Sequence, residues 1–125
     1  MLLKTIYDKT GGGDFVDFIA DDFTHRVLSD AGLARLYEGY NSSRLSERHQ
    51  EWVAHVLGGK IDDEYHLRYV NKRFVGERGI SDVQYKLITS HLIATLVEFG
   101  ISKSELNELR KYLTSIRDIC LHRDK

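Results

Sequence analysis

The chain has 125 residues, 42% of them hydrophobic and 30% charged, which suits one soluble domain spanning residues 1–125 with a real core. Its 18 basic and 19 acidic residues nearly cancel, so no electrostatic field points to nucleic acid or to an anionic membrane. The only cysteine, Cys120, excludes an intrachain disulfide and a cysteine-based zinc cluster. No apolar run approaches the roughly 20 residues of a bilayer span, "MLLKTIYDKT" lacks a signal-peptide core, and the expected location is the cytoplasm.

Proline is absent, and most of the ten glycines fall between periodic segments, as expected of helices joined by glycine turns. After a short stretch, Leu2 to Lys9, comes the turn "TGGG". Asp14 is the expected N-cap of a helix reaching about Asp30, with Phe15, Ile19, Phe23 and Val27 at a four-residue step. In the connector "SDAGLARLYEGY", Leu33, Leu36 and Tyr37 form one apolar helical turn. A helix from about Ser43 to Leu57 then places Leu45, His49, Trp52, Val53 and Val56 on one face. "GGKIDDEY" breaks it, and residues Glu64 to Gly79 are polar and only weakly periodic.

The last two helices carry the clearest signals. Ser81 caps a run with Leu87, Ile88, Leu92, Leu96 and Phe99 on its apolar face, and Gly100 ends it. Ser102 and Glu105 have capping-box spacing, and Leu106, Leu109, Leu113, Ile116 and Cys120 continue a single face. Strand alternation and internal repeats are missing. The class is all-α.

No phosphate loop, dinucleotide glycine fingerprint or HExxH pair is present. The glycines 11–13 read as a turn, and Asp62, Asp63 and Glu64 read as a solvated loop. Ser90 and His91 are helix neighbours and do not face each other. Nothing points to an enzyme. His25, His55, His91 and His122 flank charged or mixed faces and are expected at the surface, and His66 falls in the irregular segment. His49 lies on an apolar stripe, and two readings stay open there: a half-buried histidine bonded to a neighbour, or a side chain aimed into a pocket.

Taken in order, "IYDKTGGGDFVDFIADDFTHRVLSD", "LARLYEG", "HQEWVAHVLGG" and "GISDVQYKLITSHLIATLVEFGIS" resemble the truncated, two-over-two haemoglobins, and most closely their group I. The resemblance covers nearly the whole chain. It implies a two-over-two fold with a short first helix, a weak, irregular proximal segment and two long final helices. It also implies haem b as cofactor, held between a distal helix and a proximal histidine. That histidine falls on Asn71, and an amide is a poor iron ligand beside imidazole. The helix-two tyrosine that bonds iron-bound oxygen falls on Thr24, which is shorter. The corner phenylalanine falls on Tyr37, the first distal polar position on Leu45, and the distal position one turn later on His49. Arg48 is placed to pair with a haem propionate.

These changes together imply a relaxed or redirected function. The leading expectation is a haem-free or weakly haem-binding globin that acts as a binding or regulatory module, not an enzyme. Its pocket is then filled by Tyr37, Trp52 and Tyr69, or takes another small apolar ligand. The alternative is a haem protein with atypical ligation by His49 and His66, the metal ligands only if haem iron is bound, in oxygen, nitric oxide or redox chemistry. A third reading is an oligomerising helical protein with a protein partner, motivated by Ile119 and Leu121 beside the main face of the last helix.

Overall fold

Capping chemistry sets most of the helix boundaries in the computed structural model, which describes residues 13–57 and 80–121. The described residues form α1 (Gly13–Ser29), α2 (Ser42–Val56), α3 (Asp82–Glu98), α4 (Lys103–Ser115) and α5 (Arg117–Cys120), with no strand among them. Asp14 proves to lie inside the first turn of α1 instead of capping it. There its carboxylate still complements the positive end of the helix dipole. Asn41 caps α2 by accepting the Arg44 N–H at 3.1 Å.

Ser81 caps α3 with a full box, since Gln84 returns a bond to the Ser81 N–H at 2.9 Å. At the far end Gly100 takes φ +82°, and Ile101 N–H and Gly100 N–H reach back to the carbonyls of Leu96 and Val97. This is a Schellman termination, which needs the left-handed conformation that glycine adopts freely. Ser102 caps α4 through the Glu105 N–H, but the box is only half made. The Glu105 carboxylate accepts the Ser102 hydroxyl at 2.8 Å instead of the backbone N–H.

The apolar stripes meet as the helical period requires. α1 lies against both α2 and α3, and α4 lies against α2 and α3. Ile19, Phe23, Val27, Leu33, Trp52, Val53, Val56, Ile88, Leu92, Leu96 and Leu109 are sealed from solvent. Between α1 and α2 the chain runs through successive turns, Leu33 N–H bonding the Asp30 carbonyl and Leu36 N–H that of Leu33. These turns drive Leu33, Leu36 and Tyr37 inward, and Gly39 closes them with φ +83°.

Several expectations need correction. Phe99 is 45% exposed, because at the C-cap of α3 its ring leaves the buried face and meets Phe15 edge-on at 5.9 Å. The final helix does not run unbroken to Cys120. It breaks at Ile116 (φ −97°, ψ 2°), and the carbonyl of Leu113, whose helical partner would be Arg117, accepts the Tyr85 hydroxyl at 2.5 Å. His55 is buried, its Nε2 2.6 Å from the Tyr112 hydroxyl on α4. His91 is partly buried and bonds Asp30 at 2.6 Å, tying α3 to the turn after α1. His25 is exposed as expected, whereas His122 lies outside the described residues. Leu121 is buried in the core and Ile119 half-buried, so the apolar surplus of the last helix packs internally.

Candidate functional site

The helical register of α2 places Leu45, His49 and Trp52 on one inward face, at steps of four and three. Opposite them α1 supplies Phe23 and Thr24, and the turns that follow supply Tyr37. His49 is at the centre. Its ring centroid is 4.8 Å from that of Phe23 and 6.1 Å from that of Tyr37, the latter pair at 90°. Phe23 in turn stacks on Trp52 at 5.9 Å. Thr24 Oγ1 lies 2.7 Å from His49 Nδ1.

Two polar atoms in this cluster, Tyr37 Oη and His49 Nε2, are sealed from solvent and have no hydrogen-bond partner among the described residues. Buried polar atoms are ordinarily satisfied, so two together mark the place where the protein's own groups run out. Burial pushes the His49 imidazole down to about 3, which keeps it neutral in the physiological range. Burial likewise raises the Tyr37 phenol, so it stays protonated. The cluster therefore offers a neutral imidazole and a phenol between aromatic walls, a set suited to a flat apolar ligand with a polar centre.

The structure brings together Tyr37, Leu45, His49 and Trp52 from the sequence-derived set, with Arg48 half-buried next to His49 in α2. His66, Tyr69 and Asn71 lie outside the described residues. Thr24 is the residue whose role sequence reasoning understated, since it is the partner of His49 and not merely a shortened side chain. Its spacing from Ala20 and Val27 on the buried face of α1 was the available signal. Among the described residues no group of three or more His, Cys, Asp or Glu could hold a metal ion, and no helix is long and apolar enough to cross a membrane. A separate cavity of about 650 Å³ between α3 and α4–α5, with Lys86, Arg110 and Arg117 on its wall, shares no residue with the His49 cluster.

Comparison with known proteins supplies the context. Residues 5–121 match the family model for bacterial-like globins. The group 1 truncated hemoglobin GlbN of Synechocystis sp. is 27% identical over 109 residues, covering 86% of this chain and 87% of that protein. GlbN of Mycolicibacterium paratuberculosis is 29% identical over 105 residues, covering 84% and 75%. Among solved structures, a truncated hemoglobin mutant from Tetrahymena pyriformis in the Fe(III) form superposes with a TM-score of 0.72 at 21% identity, covering 93% of this chain and 97% of that one. The 2/2 hemoglobin of a Synechococcus species, in the cyanomet state and with covalently attached heme, gives 0.73 at 22% identity, covering 94% and 98%.

Proposed function

The chain belongs to the bacterial-like globin family, and from that premise we propose that it is a truncated-haemoglobin-type binding protein that takes haem b on a rebuilt distal side. The observation that carries this reading is the pair of buried, partnerless polar atoms, Tyr37 Oη and His49 Nε2. A pocket remodelled to do without a ligand gains nothing from an imidazole and a phenol at these positions, because each unsatisfied group costs about 1–3 kcal/mol. Apolar side chains of similar size would fill the space without that cost. Two unpartnered polar atoms beside the stacked rings of Phe23 and Trp52 support a flat ligand with a polar centre, such as an iron porphyrin, on this side.

Haem, when bound, supplies an iron centre able to take a small diatomic ligand or to change oxidation state. The chain's own contribution is to orient the distal polar groups, exclude water with Leu45 and Trp52, and offer Arg48 to a propionate. Family resemblance puts Asn71 at the proximal position. The proposal therefore includes weaker haem retention than an imidazole would give, with His66 as the alternative iron ligand. This chemistry suits binding, sensing or redox poise better than tight oxygen storage.

Haemin titration of the purified protein tests the reading. A Soret shift saturating at one haem per chain is expected, weakened by roughly 10–100-fold in His49→Ala through loss of the distal group. A spectrum no different from free haemin at every concentration overturns it and leaves a haem-free module whose ligand must be sought elsewhere.

A further inference from the structure

We propose that the Thr24 hydroxyl fixes the proton of His49 on Nε2, so that the ring meets a bound ligand as a hydrogen-bond donor and not as an iron ligand. The inference rests on the haem reading only for what occupies the pocket. The proton's position is a property of the chain itself.

Inside a helix a serine or threonine commonly donates to the carbonyl three or four residues back. Among the described residues Thr89 and Ser90 donate in this way to Lys86, Thr114 to Arg110 and Ser115 to Tyr112, while Thr95 lies within reach of both the His91 carbonyl and the Asp22 carboxylate. Thr24, in the middle of α1 and 8% exposed, makes no such bond. Among the described residues its hydrogen-bond partner is His49 Nδ1 alone. A hydroxyl both donates and accepts, whereas each nitrogen of a neutral imidazole does one or the other. If Nδ1 carried the hydrogen, the buried Thr24 O–H would have no acceptor. If the hydroxyl donates, Nδ1 is the acceptor and both atoms are satisfied.

The second step places the remaining hydrogen. His49 is sealed among Phe23, Tyr37 and Thr24, with no carboxylate against it among the described residues, so the ring is neutral and carries one N–H. With Nδ1 accepting, that hydrogen sits on Nε2, the atom left without a partner. An Nε2–H and the Tyr37 O–H are then both free to donate. Such a pair favours a ligand that accepts hydrogen bonds, an oxygen-bearing or anionic group, over one that does not. Direct ligation of iron by His49 needs the Nε2 lone pair, hence the opposite tautomer, and it would strip Thr24 of its acceptor. Thr24 is thus a positioning residue that opposes ligation by His49.

NMR of the purified, haem-free full chain carrying heavy-nitrogen-labelled histidine reads the protonated nitrogen directly, with the His49 signal identified by its loss in His49→Gln. The expected result is Nε2–H in the wild type and in Thr24→Ser, and a shift toward Nδ1–H or a mixture in Thr24→Val, which keeps the size and removes the hydroxyl. Nδ1–H in the wild type, or an unchanged ring in Thr24→Val, overturns the proposal. Haemin provides the second readout. Thr24→Val should gain a low-spin ferric spectrum that Thr24→Val/His49→Gln loses, while the wild type and Thr24→Ser lack it. A low-spin wild-type spectrum that depends on His49 overturns the proposal while leaving haem binding intact. If no variant binds haemin, the pocket reading fails and the NMR result still decides the tautomer.

Discussion

Replacing Tyr37 with phenylalanine removes one oxygen from the core and leaves the ring in place. That oxygen is buried and, among the described residues, unpartnered, on a residue only 4% exposed. A buried polar group without a partner costs about 1–3 kcal/mol, so Tyr37→Phe is expected to stabilise the haem-free chain by about that amount. With a urea slope of about 1–3 kcal/mol per molar, the unfolding midpoint should rise by about 1 M. The ring's edge-on packing against Tyr40 at 5.8 Å and His49 at 6.1 Å needs no hydroxyl, so little packing is lost in exchange. Saturating haemin stabilises either protein, by about 2.7 kcal/mol at a hundredfold excess over Kd. It should also shrink the gap between them, because the wild-type hydroxyl then gains a partner. Urea melts followed by far-ultraviolet circular dichroism, with and without haemin, make the comparison. A haem-free Tyr37→Phe that unfolds at lower urea than the wild type would refute the reasoning. An equal gain with and without haemin would show that the hydroxyl does not face the ligand.

Acid should expose His49. Its folded value of about 3 lies below the ordinary 6.5, so the unfolded chain takes up a proton in a window where the native one does not. Native stability therefore falls as pH drops from about 6.5 toward 3, by up to about 1.4 kcal/mol per unit, and His49→Gln should flatten that slope in urea midpoints measured at several pH values. Tyr85→Phe deprives the Leu113 carbonyl of its hydroxyl donor at the break before α5, with an expected loss of about 1–3 kcal/mol. Alkylation of Cys120, whose thiol burial pushes up to about 12, should speed up in the same variant as α5 loosens; an unchanged labelling rate and melt would show that the break does not depend on Tyr85. Gly100→Ala should destabilise by about 1–2 kcal/mol purely through backbone strain, because φ is +82° and an added Cβ meets nothing within 4 Å. A thermal melt matching the wild type would contradict that accounting.

The helical period made the inward face of α2 legible, from Leu45 through His49 and Trp52 to Val56, because it depends only on local geometry and apolar spacing. The caps at Ser81 and Gly100 were legible for the same reason. What escaped sequence reading depends on contacts across the chain. His55 sits among mixed neighbours, and its burial follows from Tyr112, 57 positions later. The break at Ile116 carries no glycine or proline, and its apolar register runs straight through. It coincides with a hydroxyl from α3 bonding a carbonyl of α4, 28 positions away. At the candidate site the face of His49 was readable, but its bond to Thr24 spans 25 positions and required the packing of α1 on α2.

The distal side also bears on whether this pocket has decayed or been rebuilt. By family resemblance the phenol belongs on the second helix and an unhydroxylated ring on the corner. Here Thr24 stands at the first position and Tyr37 at the second, so a phenol is still present, moved across the cluster. Decay toward a filled core favours apolar replacements, as at Leu45, because each polar group left dry weakens the fold. Instead, the small hydroxyl at position 24 leaves room for the His49 ring and supplies its Nδ1 with a partner at 2.7 Å, while the relocated phenol packs at right angles to the same ring. Thr24 and His49 satisfy each other in hydrogen bonding, while Tyr37 Oη and His49 Nε2 stay unpaired among the described residues. Unrelated losses would not be expected to satisfy one another in this way. The arrangement supports the proposal that this polar centre meets a bound group.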